Sequence, residues 1–196
     1  EGADNNKWIE ITNTSLSDIN LSSPVQYKVG IWQLPGSSGN GVIFGSPTNY
    51  ILLSGTLVKG HKYLIKHDAA ASNVPHVVMP VANNSNTTVS SFDGNDALAI
   101  FTDTNTIVDA FGVGINYNNI SYSRITNCLW SRSLFIATEW TSESLSTIST
   151  YTSSINGYIG IHNYSGLLYY NSELSSINKE YGQISPVSSF NLSRVF

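Results

Sequence analysis

Apolar residues recur along this chain at a spacing of two, and the densest run of them, Phe92 to Phe101, sets the frame for the rest. Within it Ala97, Ala99 and Phe101 alternate with Leu98 and Ile100, so both faces are apolar, as in a strand packed on two sides. Asp103-Thr104-Asn105 supplies a turn, Ile107 to Phe111 runs back as the partner strand, and Gly112 and Gly114 end it. Asp93-Gly94-Asn95-Asp96 is a tight turn into the first strand, rich in residues that tolerate positive φ. The pattern predicts a β-hairpin at the centre of a β-sandwich.

The same period places strands at Trp8 to Ile11, from Asp18 to Leu21 and at Gln26 to Trp32. Asn49 to Leu53 and Lys62 to Ile65 flank Val58-Lys59-Gly60-His61 and read as a second hairpin. Asp68 to Ser72 is a candidate helical turn stopped by Pro75, and Val77 to Val81, broken by Pro80, belongs at a sheet edge. Ser121 to Thr126 and Ser133 to Thr138 read as later strands. Further on, Gly157 to Ile161 and Gly166 to Tyr170 bracket a third hairpin, and Glu173 to Glu180 is a candidate short helix. Val187 to Phe196 places Phe190, Leu192 and Phe196 on one face, as in a one-faced strand. Neither a long helix nor an internal repeat is visible. The expected core includes Ile9, Ile11, Leu64, Leu98, Ile100, Val108 and Phe111.

Four stretches carry a family resemblance. Gly94-Asn95-Asp96-Ala97-Leu98-Ala99-Ile100 with Ile107 to Gly112 resembles the central hairpin of the lamin tail domain, in the form carried by secreted bacterial proteins. Asn6-Lys7-Trp8-Ile9-Glu10-Ile11-Thr12-Asn13 with Ile19-Asn20-Leu21 resembles the opening of that family, Leu53-Ser54-Gly55-Thr56-Leu57 through Tyr63 and Ile65 its next hairpin, and Glu139-Trp140-Thr141 its closing motif. The resemblance covers about residues 1–150 and implies an immunoglobulin-like β-sandwich that binds or scaffolds, with no catalytic residues. Residues 151–196 are then a β-rich C-terminal extension, packed on the sandwich or completing it.

Composition narrows the surroundings. Only 11% of the 196 residues are charged, while 41% are hydrophobic and 11% aromatic. Ser, Thr and Asn make up about a third, which gives a polar but uncharged surface suited to an extracellular or cell-surface protein. The net charge is −4 and the nine Lys and Arg residues are scattered, which argues against binding nucleic acid through its phosphates. No run reaches the length of a membrane span. The chain opens at Glu1 rather than Met and shows no signal peptide. Cys128 is alone, so no disulfide forms within the chain, and a buried structural thiol is expected.

Catalytic motifs are missing: no His-Glu-x-x-His, phosphate loop, nucleophile elbow or EF-hand loop occurs, and His61, His67, His76 and His162 lack zinc-site spacing. No enzyme activity, cofactor or metal is expected. Asp93, Asp96 and Asp109 admit two readings, a weak calcium site at one end of the hairpin or turn capping with Asp109 on a strand face. Aromatic residues admit two as well, core packing or a sugar-binding platform in which Tyr117, Tyr169 and Tyr170 are the exposed candidates. Candidate glycosylation positions are Asn13, Asn20, Asn83, Asn86, Asn119, Asn163 and Asn191, each followed by x-Ser/Thr.

The departure from the resembled family lies at the start. Its members carry a strand before the segment that matches Asn6 to Asn13, and here Glu1 to Asn6 leaves that strand absent or shortened. A sandwich lacking a strand exposes unpaired N–H and C=O groups beside an apolar core. The filler is the chain's own Val187 to Phe196 or a strand from another copy, and filling by another copy is donor-strand exchange. The expectation is therefore a non-enzymatic extracellular structural subunit whose partner is itself, in a filament or surface layer. The alternative is a surface-, carbohydrate- or nucleic-acid-binding accessory module of a secreted protein.

Overall fold

The computed structural model describes residues 7–35, 39–69, 83–118, 120–125, 128, 130–144 and 190–195. Val77 to Val81, the hairpin between Gly157 and Tyr170, the helix at Glu173 to Glu180 and most of Asp68 to Ser72 lie outside these residues.

Twelve strands account for the regular structure of the described residues, together with one 3-10 turn, Ala137–Glu139. Four of them form a sheet in the order β4 (Asn49–Leu52), β3 (Tyr27–Trp32), β8 (Ala97–Thr102), β9 (Ile107–Phe111). The predicted hairpin forms, with β8 inside the sheet and β9 at its edge, and it pairs Leu98 with Phe111 and Ile100 with Asp109. Asn105 takes a φ of 60° in the turn, as the Asp-Thr-Asn sequence requires. Gly94 has a φ of 100°, and a Cβ there would lie 2.4 Å from the backbone of Asn118, so only glycine fits that turn.

A second sheet has six strands in the order β11 (Trp140–Ser144), β10 (Ile120–Arg124), β12 (Phe190–Val195), β1 (Trp8–Asn13), β6 (Lys62–Lys66), β7 (Asn84–Ser85). β2 (Ile19–Asn20) and β5 (Thr56–Leu57) pair separately.

One core lies between the sheets, and the fold is all-β and sandwich-like. Ile9, Ile11, Ile65 and Leu192 from the six-stranded sheet meet Val29, Ile31, Leu98, Ile100 and Phe111 from the four-stranded one. Each such side chain contributes roughly 1.5–3 kcal/mol through burial. The odd positions of β8 face outward and are buried too: Ala97, Ala99 and Phe101 pack with Trp32 and Ala110 under the partly buried Ile43, Ile107 and Val113. That second layer explains why β8 is apolar on both faces. Of the expected core, all but Val108 are buried, and Val108 packs half-buried against the core.

Two expectations are corrected. Asn49 to Leu53 and Lys62 to Ile65 do not pair: β4 lies against β3, and β6 lies against β1. The turn at Val58 to His61 exists, closed by the His61 N–H donating to Val58 O at 2.9 Å, but it joins β5 to β6. Between β4 and β5 the chain passes Leu53, fully buried, and Gly55, at a φ of 85°, and so leaves the four-stranded sheet for the separate β2–β5 pair. Ser133 to Thr138 is not a strand; it leads into the 3-10 turn, and the strand follows at β11. β11 buries only Trp140, so it carries no alternating signal.

Candidate functional site

The C-terminal strand takes the place expected of a filler. β12 runs antiparallel to β1 on one side and to β10 on the other, completing the six-stranded sheet. It is separated in sequence from β11, which ends at Ser144, by residues 145–189. Without β12 the facing backbones of β1 and β10 lose their ladder partner, and the pocket holding Leu192, fully buried among the core residues, is emptied.

The seat is not a plain ladder. Glu10 pairs with Arg194 but the next residue, Ile11, pairs with Leu192, so Ser193 is the extra residue of a β-bulge. On the other side β10 and β12 pair only at Tyr122 with Val195 and Ser123 with Arg194. Where that ladder stops, side chains take over. Leu192 N–H donates to Asp109 Oδ2 at 2.7 Å, and Leu192 O accepts from Arg124 Nε at 3.2 Å. Both polar groups of the residue beside the bulge are thus held by one acidic and one basic side chain.

Asp109 and Arg124 are themselves an ion pair, with side chains 0% and 1% exposed. Asp109 stands on β9 in the four-stranded sheet and Arg124 ends β10 in the other, so the pair spans the sandwich. Arg124 Nη2 donates to both carboxylate oxygens at 2.9 Å. Arg132 N–H adds a bond to Asp109 Oδ1 at 2.6 Å. Arg124 Nη1 donates to Trp130 O at 2.9 Å and to Glu139 Oε2 at 3.3 Å, and the guanidinium lies 4.7 Å from the ring centre of Trp140. Glu139 in turn accepts from Arg132 Nε at 3.0 Å. Burial pushes the Asp109 carboxyl up to about 7, against the opposing pull of Arg124 and of the Arg132 and Leu192 N–H groups. Cys128, buried as expected, has its Sγ 3.6 Å from Arg124 Nη1, and burial raises its thiol. That direction disfavours the reactive thiolate.

The structure keeps Asp93 and Asp96 in one turn and places Asp109 apart from them. Asp96 Oδ1 accepts from Leu34 N–H at 3.0 Å and Oδ2 from Asp93 N–H at 3.1 Å, which is turn capping, while Asp109 sits in the clasp with Arg124. Burial raises Asp96 to about 6. No group of three metal-ligating side chains occurs among the described residues. Tyr117, a candidate for the exposed sugar-binding platform, is 1% exposed and belongs to the core, its ring packed 4.8 Å from that of Phe111. Tyr169 and Tyr170 lie outside the described residues.

Of the glycosylation positions, Asn13 is buried, with its Nδ2 donating to Leu57 O at 2.8 Å. Asn20 and Asn83 are exposed and Asn86 is half-buried. Asn119 and Asn163, and the side chain of Asn191, lie outside the described residues.

Sequence reasoning missed Arg124, Arg132 and Glu139. The available signal was Asp109 itself, an acid at an inward position of an otherwise apolar strand, which requires a buried partner. Compared with known proteins, the chain matches no family model, no curated protein and no solved structure.

Proposed function

We propose that the protein is a non-enzymatic structural subunit of an extracellular or cell-surface filament or layer, assembled by exchange of the β12 strand between copies. The observation that carries this reading is the seat of β12: a strand inserted between β1 and β10, neither of which is the strand that precedes it among the described residues. Such a strand makes the same contacts whether it enters its own groove or that of a neighbour, so exchange costs little once the connecting segment can span the gap. The head-to-tail contact propagates unless its rotation closes a ring. The sparse charge and the Ser/Thr/Asn-rich composition agree with a packed extracellular fibre, and the lamin-tail resemblance with an immunoglobulin-like scaffold.

A second reading, an accessory module that binds a surface, a carbohydrate or nucleic acid, is favoured by the exposed Phe44 (87%), Tyr50 and Trp130. One experiment separates the two. Ser123 and Arg194 are Cα partners across β10 and β12, within reach of a disulfide. Chains carrying Ser123→Cys are unfolded and refolded together with chains carrying Arg194→Cys, then oxidised. A disulfide joining the two chains, with polymers seen by negative-stain microscopy, is expected. If the two chains do not crosslink, a chain carrying both substitutions crosslinks only within itself, and the protein stays monomeric at every concentration, the filament reading fails.

A further inference from the structure

We infer that Asp109 and Arg124 form a reader for a bulged β-strand, and that they set which peptide segment, and in which register, the groove between β1 and β10 accepts. This rests on the strand-exchange reading and names the determinant within it. The occupant is a terminal segment with the chemistry of Phe190–Val195: extended, with an apolar residue at the position of Leu192 and one extra residue immediately after it.

An ordinary groove accepts any strand, because the ladder bonds only to backbone atoms and those are the same at every residue. Slipping such a strand by two residues keeps every ladder bond and keeps the same face inward. Here the slip is forbidden at one point. The Leu192 N–H must meet a carboxylate and the Leu192 C=O a guanidinium, at 2.7 and 3.2 Å, and both partners are buried in the core. A strand in another register, or one without the bulge, aims its N–H and C=O groups elsewhere. It leaves Asp109 short of one of its donors at a site water does not reach. Arg124 cannot discard its proton to escape the same penalty. The bulge also explains the brief pairing of β10 with β12: the ladder ends after two positions so that the Arg124 side chain can replace it. Charge-assisted bonds of this kind are the stronger class, so the pair gives sequence-independent backbone a position-dependent reading.

The test uses a fluorescent synthetic peptide spanning Val187 to Phe196, and the same peptide with the Leu192 amide replaced by an ester, which deletes the N–H without adding bulk. The receptor is the full chain carrying Leu192→Asp, whose own tail no longer fits the apolar pocket. If that variant does not fold, the unaltered full chain serves, with slow displacement of its own tail as the readout. The expected result is binding of the amide peptide and about 10- to 100-fold weaker binding of the ester. In a receptor that also carries Asp109→Asn the two peptides should differ by less than about 3-fold, because the acceptor charge is gone. Equal binding of amide and ester to the first receptor overturns the inference and leaves the strand-exchange reading in place. An ester penalty unchanged by Asp109→Asn overturns it as well. Binding of neither peptide to either receptor overturns the strand-exchange reading, and the inference with it.

Discussion

Replacing Asp109 by Asn tests the clasp most directly, because it keeps the side chain's size and removes only charge and acceptor capacity. In the native protein the carboxylate accepts from Arg124 Nη2 at both oxygens, from Arg132 N–H and from Leu192 N–H. An amide offers one oxygen to these donors and turns two N–H donors of its own toward the others. Arg124 then remains charged in the core, with Glu139 at 3.3 Å as its remaining carboxylate. At pH 8, where Asp109 is ionised, removing one partner of a buried pair costs about 3–5 kcal/mol, and Glu139, 13% exposed, moves the expectation to the lower end, about 3 kcal/mol. That is a large share of a total stability of about 5–15 kcal/mol. Arg124→Met leaves the opposite orphan, and its response to pH differs. Asp109, already pushed up to about 7 by burial, escapes by taking a proton, so this variant's cost is small at pH 5.5 and grows toward pH 8. Urea unfolding followed by tryptophan fluorescence at both pH values measures this, since Trp140 lies against the guanidinium. A cost under about 1 kcal/mol for Asp109→Asn at pH 8, or the same pH response in both variants, would refute the account.

Leu98→Ala, in the doubly covered central strand, should cost about 2–5 kcal/mol in the same assay, and a change near zero would mean that β8 is not the core of the sandwich. Asp96 and Asp109 are both raised by burial from 3.8, to about 6 and about 7, so the folded state holds more protons than the unfolded one between those values. Their contribution is fully present below about pH 4 and is lost as pH rises through 6 and 7. The urea midpoint should therefore be higher at pH 5 than at pH 8, and Asp96→Asn should flatten the lower part of the slope; a midpoint that climbs steadily with pH contradicts both assignments.

Faces were legible in the sequence, and partners were not. A period of two reports which side of a strand is buried, and it placed β1, β3, β8 and β9 because their apolar residues meet a continuous core. It carries no information about which strand lies alongside, which is how β4 and β6 came to look like one hairpin although they belong to separate sheets. β11, polar except at Trp140, gave no period at all. The C-terminal strand was legible from Phe190 and Leu192, but its bulge was not, because Ser193 becomes the extra residue only through the register against Glu10 and Ile11. Asp109 was visible as a carboxylate, and its role depended on Arg124, which arrives from the opposite sheet.

The placement of β12 beside β1 also sets a timetable for synthesis. Ile9 and its partner Val195 are 186 residues apart (195 − 9), so β1 leaves the ribosome long before the strand that covers it. At about 5–20 residues per second the wait is roughly 10–40 s. Through that interval one edge of β1 stands uncovered; β10 follows later, and from Arg124 to Val195 (195 − 124 = 71 residues, roughly 4–14 s at the same rate) its edge is open too, with Asp109 and Arg124 lacking the backbone they hold at Leu192. Neighbouring nascent chains on one message carry the same edges, so under the proposed strand exchange the crowding of ribosomes, as much as the final concentration of protein, would set whose strand arrives first.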